Sequence, residues 1–314
     1  MIPVCAVIAT KDRPDKLANL FHSFQKQDVQ LAEAVVVDGS ADDRTQMVCH
    51  AAPGPMVVRW VRATQVGAAA QRNQGVRLNT QPYILFIDDD IVLEGGCIAA
   101  LWGAMQSNPL IGGVDAIVTN QCYHPLGHVS RRFFTWLNGG DGPFDGRVIA
   151  GIAPFHPEDR PDRDAIIPTE WLATACVLYR RSALPDPPFD AFFEGYSYGE
   201  DLALSLVVAR KWRLANTREA RTFHDGTPGA DRLGAGIEAI LHGEDRPGES
   251  GRVGAVDFHR VEAVQAQVVL EPLHAALLLQ GAALLDAAAI EDHDRRHMAA
   301  VLGAPPAGRP VAAP

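Results

Sequence analysis

The feature that most constrains the fold is an alternation of segment types through the first 112 residues. Apolar, strand-like runs recur at "VCAVIAT" (4–10), "EAVVVD" (33–38), "MVVRWVR" (56–62) and "YILFIDD" (83–89). Between and after them lie stretches of helical pattern. "RPDKLANLFHSFQKQ" sets Leu17, Leu20, Phe21 and Phe24 on one face, and "DDRTQMVCHA", "GAAAQRNQGVRLN" and "GGCIAALWGAMQ" follow. Asp12, two residues before Pro14, is the expected start of the first helix. Alternation at this spacing predicts parallel strands joined by helical crossovers, hence an α/β fold. Ligands of such sheets lie beyond the carboxyl ends of the strands. Three of the strands end in polar residues there: Thr10-Lys11-Asp12, Asp38-Gly39-Ser40 and Asp88-Asp89-Asp90. Three such endings together suggest one lined cleft.

The triple aspartate is the sharpest chemical signal. If the strand persists through it, Asp88 and Asp90 share a face and Asp89 points the other way. The matched pair then lies roughly 6–7 Å apart, wide for two bonds to one ion. One carboxylate would bind a metal while the other meets an adjacent ligand group, unless a bend brings both close. Clustered carboxylates repel, and a divalent cation relieves the repulsion; oxygen or oxygen-plus-imidazole ligation suits Mg²⁺ or Mn²⁺. The alternative is a solvated acidic turn.

After residue 112 the pattern changes. "GGVDAIVT" and "EWLATACVLYRR" (170–181) read as strands, and "GEDLALSLVVARK" as a helix opening on an acidic pair. Residues 120–168 show little periodicity. From about residue 255 the chain is Ala/Leu-rich and helical in pattern, and 304–314 read as a disordered tail. The net charge of −10 argues against nucleic acid as a partner. Five scattered cysteines without a C-x-x-C motif argue for free thiols in a reducing cytosol rather than a disulfide framework or zinc cluster. With no signal-peptide pattern at the N-terminus, the expected location is cytoplasmic, including the inner face of a membrane. The stretch "PLHAALLLQGAALLDAAAI" falls short of a membrane span. Packing on the main domain, peripheral membrane contact and homodimerisation all stay open for it.

In order along the chain, "VIATKDRPDKL", "VVVDGSADD", "GAAAQRNQG", "FIDDDI", "EWLATACVLYRR", "YSYGEDLALSL" and "RTFH" resemble the inverting family 2 glycosyltransferases of the GT-A fold. The resemblance covers roughly residues 2–230. It implies a mostly parallel central sheet flanked by helices. Residues 1–112 would be the nucleotide-sugar half, and 113–254 the acceptor-binding and catalytic half. The resemblance does not explain residues 255–314, where the Ala/Leu-rich pattern alone gives a helical extension (255–303). The implied partners are a UDP- or dTDP-sugar donor and a hydroxyl-bearing acceptor, with Mn²⁺ or Mg²⁺ as cofactor. Asp38 would meet the nucleobase. Thr10, Lys11, Arg13, Arg72, Asn73 and Asp89 would belong to the nucleotide-sugar set. Asp88 would sit near the ribose and the metal, and Asp90 with His224 would hold the metal.

On the acceptor side, the resemblance implies Asp201 as general base and Glu200 as its support, with the reverse assignment open. Without it, helix-dipole capping accounts for both acids. Trp171 is expected to stack on a sugar at the acceptor site, the alternative being a core residue. His124, Arg131, Arg132, Trp136 and Asp141 would shape the acceptor pocket. Glycines 226, 229, 234 and 236 suggest a loop that closes over the donor and brings Arg232 to the diphosphate; a plain connector is the alternative. Two rival functions follow from the same residues. One is a nucleotidyltransferase that makes sugar nucleotides, although "ATKDRPDKL" lacks the Gly-rich phosphate loop such enzymes carry. The other is a nucleotide-sugar binding module without catalysis.

Overall fold

The computed structural model describes residues 1–120, 146–149, 153–154, 157, 164–193 and 199–226. The expectations for the acceptor segment (His124, Arg131, Arg132, Trp136, Asp141), for Arg232 and most of its loop, for the helical extension and for the tail lie outside these residues.

The alternating half folds as its pattern predicts. β1 (Ile2–Thr10), β2 (Leu31–Asp38), β3 (Val57–Arg62) and β4 (Tyr83–Ile87) are interleaved with α1 (Pro14–Gln25), α2 (Arg44–His50) and α3 (Ala68–Arg77). These strands lie in the order β3-β2-β1-β4, all parallel. A short β5 (Ile91–Leu93) and α4 (Cys97–Ser107) follow, then β6 (Ile111–Val118). The second half adds a two-residue ladder, β7 (Val148–Ile149) with β8 (Ala153–Pro154). Next come β9 (Ile166–Thr169), β10 (Cys176–Arg180), α5 (Glu200–Ala209) and β11 (Arg213–His224). β10 enters antiparallel beside β4, and β6, β11 and β5 continue the sheet, with β9 on β11. The sheet is therefore parallel through β3-β2-β1-β4 and mixed beyond.

Burial explains why the central strands read as unbroken apolar runs. Val4, Ala6 and Ile8 of β1 face Leu17, Phe21 and Leu101, from α1 and α4. Cys5 and Val7 face the opposite core, with Val76 of α3 and Leu204 and Val208 of α5. Both faces of the sheet are covered, so period-two alternation of polarity disappears. Gly75 marks a close helix–sheet approach: a β-carbon there would lie 2.5 Å from Val7 Cγ1. Cys5, Cys49, Cys97 and Cys176 are free and buried, as expected; Cys122 lies outside the described residues. Among the described residues no helix is long and apolar enough to cross a membrane.

Three local expectations are corrected. Asp12 does not cap α1: Arg13 holds the N-cap position, and Pro14, whose fixed φ suits the first helical residue, sets the start. Asp12 instead takes a left-handed φ of 57° and donates its N–H to Ser40 Oγ at 2.8 Å. β4 ends at Ile87, so strand alternation does not govern the triple aspartate; Ile91 N–H returns to the Asp88 carbonyl at 3.3 Å and closes a turn. The strand expected over 170–181 is confined to Cys176–Arg180. Just before it, Leu172 N–H goes to Ser205 Oγ (2.9 Å) and Ala173 N–H to the buried Asp115 carboxylate (3.3 Å). Side chains have taken backbone donors that a longer ladder would need.

Replacing Gly75 with Val should destabilise the fold by about 2–3 kcal/mol, because β1 is buried on both faces and Val7 has no room to retreat. Urea unfolding measures this; an unchanged midpoint would show that the contact is not tight.

Candidate functional site

The site is built from the carboxyl ends of parallel neighbours. Thr10 and Asp38 are register partners on β1 and β2, and the Gly39 N–H donates to the Thr10 carbonyl at 2.9 Å. Gln71 of α3 secures the same edge, its amide nitrogen donating to the carbonyls of Thr10 (2.9 Å) and Val37 (2.7 Å). Sequence reading missed Gln71, although it lies in the quoted "GAAAQRNQG".

The turn after β4 sorts its three acids by partner. Asp89 is buried, accepting from Thr10 Oγ1 at 2.7 Å and from Arg13 Nη1 at 3.1 Å. Burial pushes its pKa up to about 6 against the lowering effects of Thr10 and Arg13. The same Arg13 nitrogen reaches Asp90 Oδ2 at 3.1 Å. Asp88 is the most open of the three and accepts from Arg72 Nη2 at 2.7 Å. Thus one guanidinium joins Asp89 to Asp90, and another holds Asp88 on a separate path. Lys11, just after β1, is exposed.

His224 arrives from the far end of the sheet. β11 pairs antiparallel with β5, which sets His224 opposite Ile91. The Asp225 N–H donates to the Asp90 carbonyl at 2.7 Å, and Asn120 brackets the His224 backbone with two bonds of 2.8 Å. These bonds leave His224 Nε2 3.6 Å from Asp90 Oδ1. Asp225 is tied to Lys16 at 3.0 Å, and with Asn19 this holds its pKa below the usual carboxylate range.

Among the described residues no cluster of three or more His, Cys, Asp or Glu side chains stands ready for a metal. Asp90 and His224, 3.6 Å apart, are the candidate pair for holding an ion. A carboxylate with an imidazole is a sound donor pair for Mn²⁺ or Mg²⁺.

Asp38 is completely buried, and both of its oxygens are engaged. Oδ1 accepts from Ser40 N–H at 2.8 Å; Oδ2 accepts from Trp60 Nε1 at 3.0 Å and Arg62 Nη1 at 3.3 Å. Arg62 also binds the carbonyls of Ser40 and Asp42 and the Asp43 carboxylate, and stacks over Trp60. Trp60 and Arg62 went unnoticed in the sequence. Their spacing of two puts them on one face of β3, but only the register that sets Arg62 opposite Asp38 brings them to it.

On the other side, Gly199 takes a left-handed φ of 86°, open to glycine without strain, and leads into α5. Glu200 and Asp201 occupy the first turn. Glu200 is buried and accepts from Arg72 Nη1 at 3.0 Å. Asp201 keeps part of its surface open, and Oδ1 accepts the Leu202 N–H at 2.7 Å. Loss of solvation, reinforced by the Glu200 charge, pushes its pKa up to about 6. Asn73 exchanges two hydrogen bonds with the Phe189 backbone, of 2.7 and 3.0 Å, so it braces the segment before α5. Trp171 is buried. The structure therefore gathers Thr10, Arg13, Asp88, Asp89, Asp90 and His224, and links Glu200–Asp201 to them through Arg72. Asp38 sits beside them in its own enclosed network.

Residues 5–184 match the sequence profile described as Glycosyl transferase family 2. The fold is similar to that of the mannosyltransferase PcManGT from Pyrobaculum calidifontis, solved with GDP-Man and Mn2+. There the identity is 16%, the TM-score 0.51, and 96% of this chain and 80% of that one are covered. It is also similar to S. aureus TarS 1-349 in complex with UDP-GlcNAc, at 15% identity and a TM-score of 0.53, covering 86% of this chain and 67% of that one. No curated protein matches the sequence. The GT-A fold expected from the motifs is thereby borne out.

Replacing Asp38 with Ala should cost about 2–3 kcal/mol of stability. The Ser40 amide and the Trp60 indole lose a buried acceptor, while the half-exposed Arg62 adds less. Denaturant unfolding of the ligand-free protein checks this; an unchanged stability would mean that the Asp38 network contributes nothing to folding.

Proposed function

Because the chain belongs to glycosyl transferase family 2, matched over residues 5–184 of 314, we propose that it is a metal-dependent inverting glycosyltransferase. It moves a sugar from a nucleoside-diphosphate donor to an acceptor hydroxyl on a glycan, a lipid-linked sugar or a small natural product. One observation carries the reading. Asp90 and His224 converge at the acidic turn, while Asp88 of the same turn is tied through Arg72 to Glu200, next to Asp201. Both similar structures hold nucleoside-diphosphate sugars, GDP-Man in one and UDP-GlcNAc in the other, which supports that donor class. A UDP- or dTDP-sugar is the expected donor here.

Asp90 and His224 would hold Mn²⁺ or Mg²⁺, with Asp88 beside them. When bound, the ion supplies positive charge against the departing diphosphate. The chain's own residues do the rest. Asp201 takes the proton from the acceptor hydroxyl. The freed oxygen bonds to the anomeric carbon as the bond from that carbon to the diphosphate oxygen breaks. The displacement is single, inverts the centre and leaves no covalent sugar–enzyme intermediate. Asp201 suits the base better than Glu200 does. Glu200 is committed to Arg72, whereas Asp201 Oδ2 takes no hydrogen bond from the described residues and its pKa lies close to working pH. A base must be ionised to accept a proton. Transfer should therefore fall as pH drops through about 6, where Asp201 becomes protonated.

A thermal-shift panel of nucleotide sugars with and without Mn²⁺, followed by transfer assays, tests the reading. A tight donor in saturating excess should stabilise the protein by about 3 kcal/mol; a protein that binds none of the panel overturns the proposal. Asp201→Asn should reduce transfer by about 10²–10⁴-fold and abolish the acidic limb of the pH profile while donor affinity persists. If donor binding vanishes with activity, Asp201 is structural. Asp90→Ala should eliminate the Mn²⁺ dependence of donor binding; unchanged Mn²⁺-dependent binding would exclude it as a ligand.

A further inference from the structure

The geometry points to Arg72 as a positioning residue that couples the donor-side acidic turn to the acceptor-side acids. This deepens the glycosyltransferase reading and rests on it. Sequence resemblance places Arg72 in the nucleotide pocket, as a ligand of the donor. The structure gives it other work. Arg72 is 4% exposed and lies on α3. Nη2 donates to Asp88 Oδ1 at 2.7 Å and Nη1 to Glu200 Oε1 at 3.0 Å. The guanidinium carbon stands 5.6 Å from the centre of the Phe189 ring. Asn73, the next residue, pins Phe189 through both of its amide atoms.

These contacts span 128 positions of sequence between Arg72 and Glu200, and join the two halves of the domain at its reacting edge. Each donating Nη is given to a carboxylate, and the cation has almost no exposed surface with which to meet a diphosphate. A planar guanidinium offers donors in two directions at fixed angles; an ammonium is a point charge and does not bridge two separated carboxylates in the same way. Arg72 thus sets where Asp88 stands on the donor side. Through Glu200 it also sets the first turn of α5, and with that turn the position of Asp201. A residue acting in this manner affects turnover more than donor affinity. A diphosphate ligand does the opposite.

The test compares Arg72→Met, Arg72→Lys, Glu200→Gln and the double variant Arg72→Met/Glu200→Gln. Donor affinity is read by titration calorimetry, turnover by steady-state transfer, and stability by thermal midpoint. Both Arg72 variants should lose at least about tenfold in kcat while the donor Kd stays within about threefold. The double variant should melt above Arg72→Met and recover part of its kcat, because it no longer leaves a buried Glu200 charge without its partner. A tenfold or greater weakening of donor binding without rescue by Glu200→Gln would make Arg72 a donor ligand and overturn the proposal. If Arg72→Met fails to fold, Arg72→Lys carries the same split between kcat and Kd. Failure of the functional reading looks different: the wild-type protein itself would neither bind nor transfer. The 72–200 pairing would then still be judged from the midpoints, and a double variant no more stable than Arg72→Met would refute it.

Discussion

The site depends on interleaving cations with acids. Asp38, Asp88, Asp89, Asp90, Glu200 and Asp201 meet near one edge of a sheet in a chain of net charge −10. Left alone, such a group would repel itself and resist burial. Three arginines make it tolerable, each joining acids that arrive on different elements or successive residues. Arg13 joins Asp89 to Asp90, Arg62 joins Asp38 to Asp43, and Arg72 joins Asp88 to Glu200. For Arg72, burial alone would lower the pKa, but Asp88 and Glu200 outweigh it and keep the guanidinium charged. The same opposition holds at Arg13, where Asp89 and Asp90 prevail.

This pairing also decides which acids remain available for chemistry. Asp38 and Asp89 are buried and fully engaged with protein groups, and they hold the strand ends in place. Asp90 faces an imidazole, and Asp88 keeps part of its surface open. At the start of α5 the Arg72 ion pair engages Glu200, while Asp201 has no ion-pair partner among the described residues and is raised toward neutral pH. Neighbouring carboxylates thus acquire separate environments from their partners. That division is the usual physical route by which one site supplies both a binding acid and a base.

Much of the scaffold was legible because local pattern and tertiary environment agree there. The runs at 4–10, 33–38, 56–62 and 83–89 hold the strands Ile2–Thr10, Leu31–Asp38, Val57–Arg62 and Tyr83–Ile87, and the helical face of α1 is buried as the spacing of Leu17, Leu20, Phe21 and Phe24 implies. The sequence reader fails where backbone donors find side-chain partners, as at Leu172 and Ala173. It fails also where a turn replaces an extended strand, as at Asp88–Asp90. Asp12 looked like a cap by residue type, but its backbone was recruited by Ser40 from another strand end. At Leu172, Ala173 and Asp12 the partner is distant in sequence and invisible to a local window, whereas the turn at Asp88–Asp90 is closed locally by the Ile91 N–H.

By itself the sequence determined the parallel βα half, the edge at which its acids collect, and the motifs that mark the family, because strand and helix periodicities are local properties of the chain. Only the tertiary structure decided how the acids are divided. It buried Asp38 under Trp60 and Arg62, brought His224 beside Asp90, and set Arg72 between Asp88 and Glu200. Those pairings depend on register and on charge neutralisation across elements up to 128 residues apart. The fold must form before such charges can select one another.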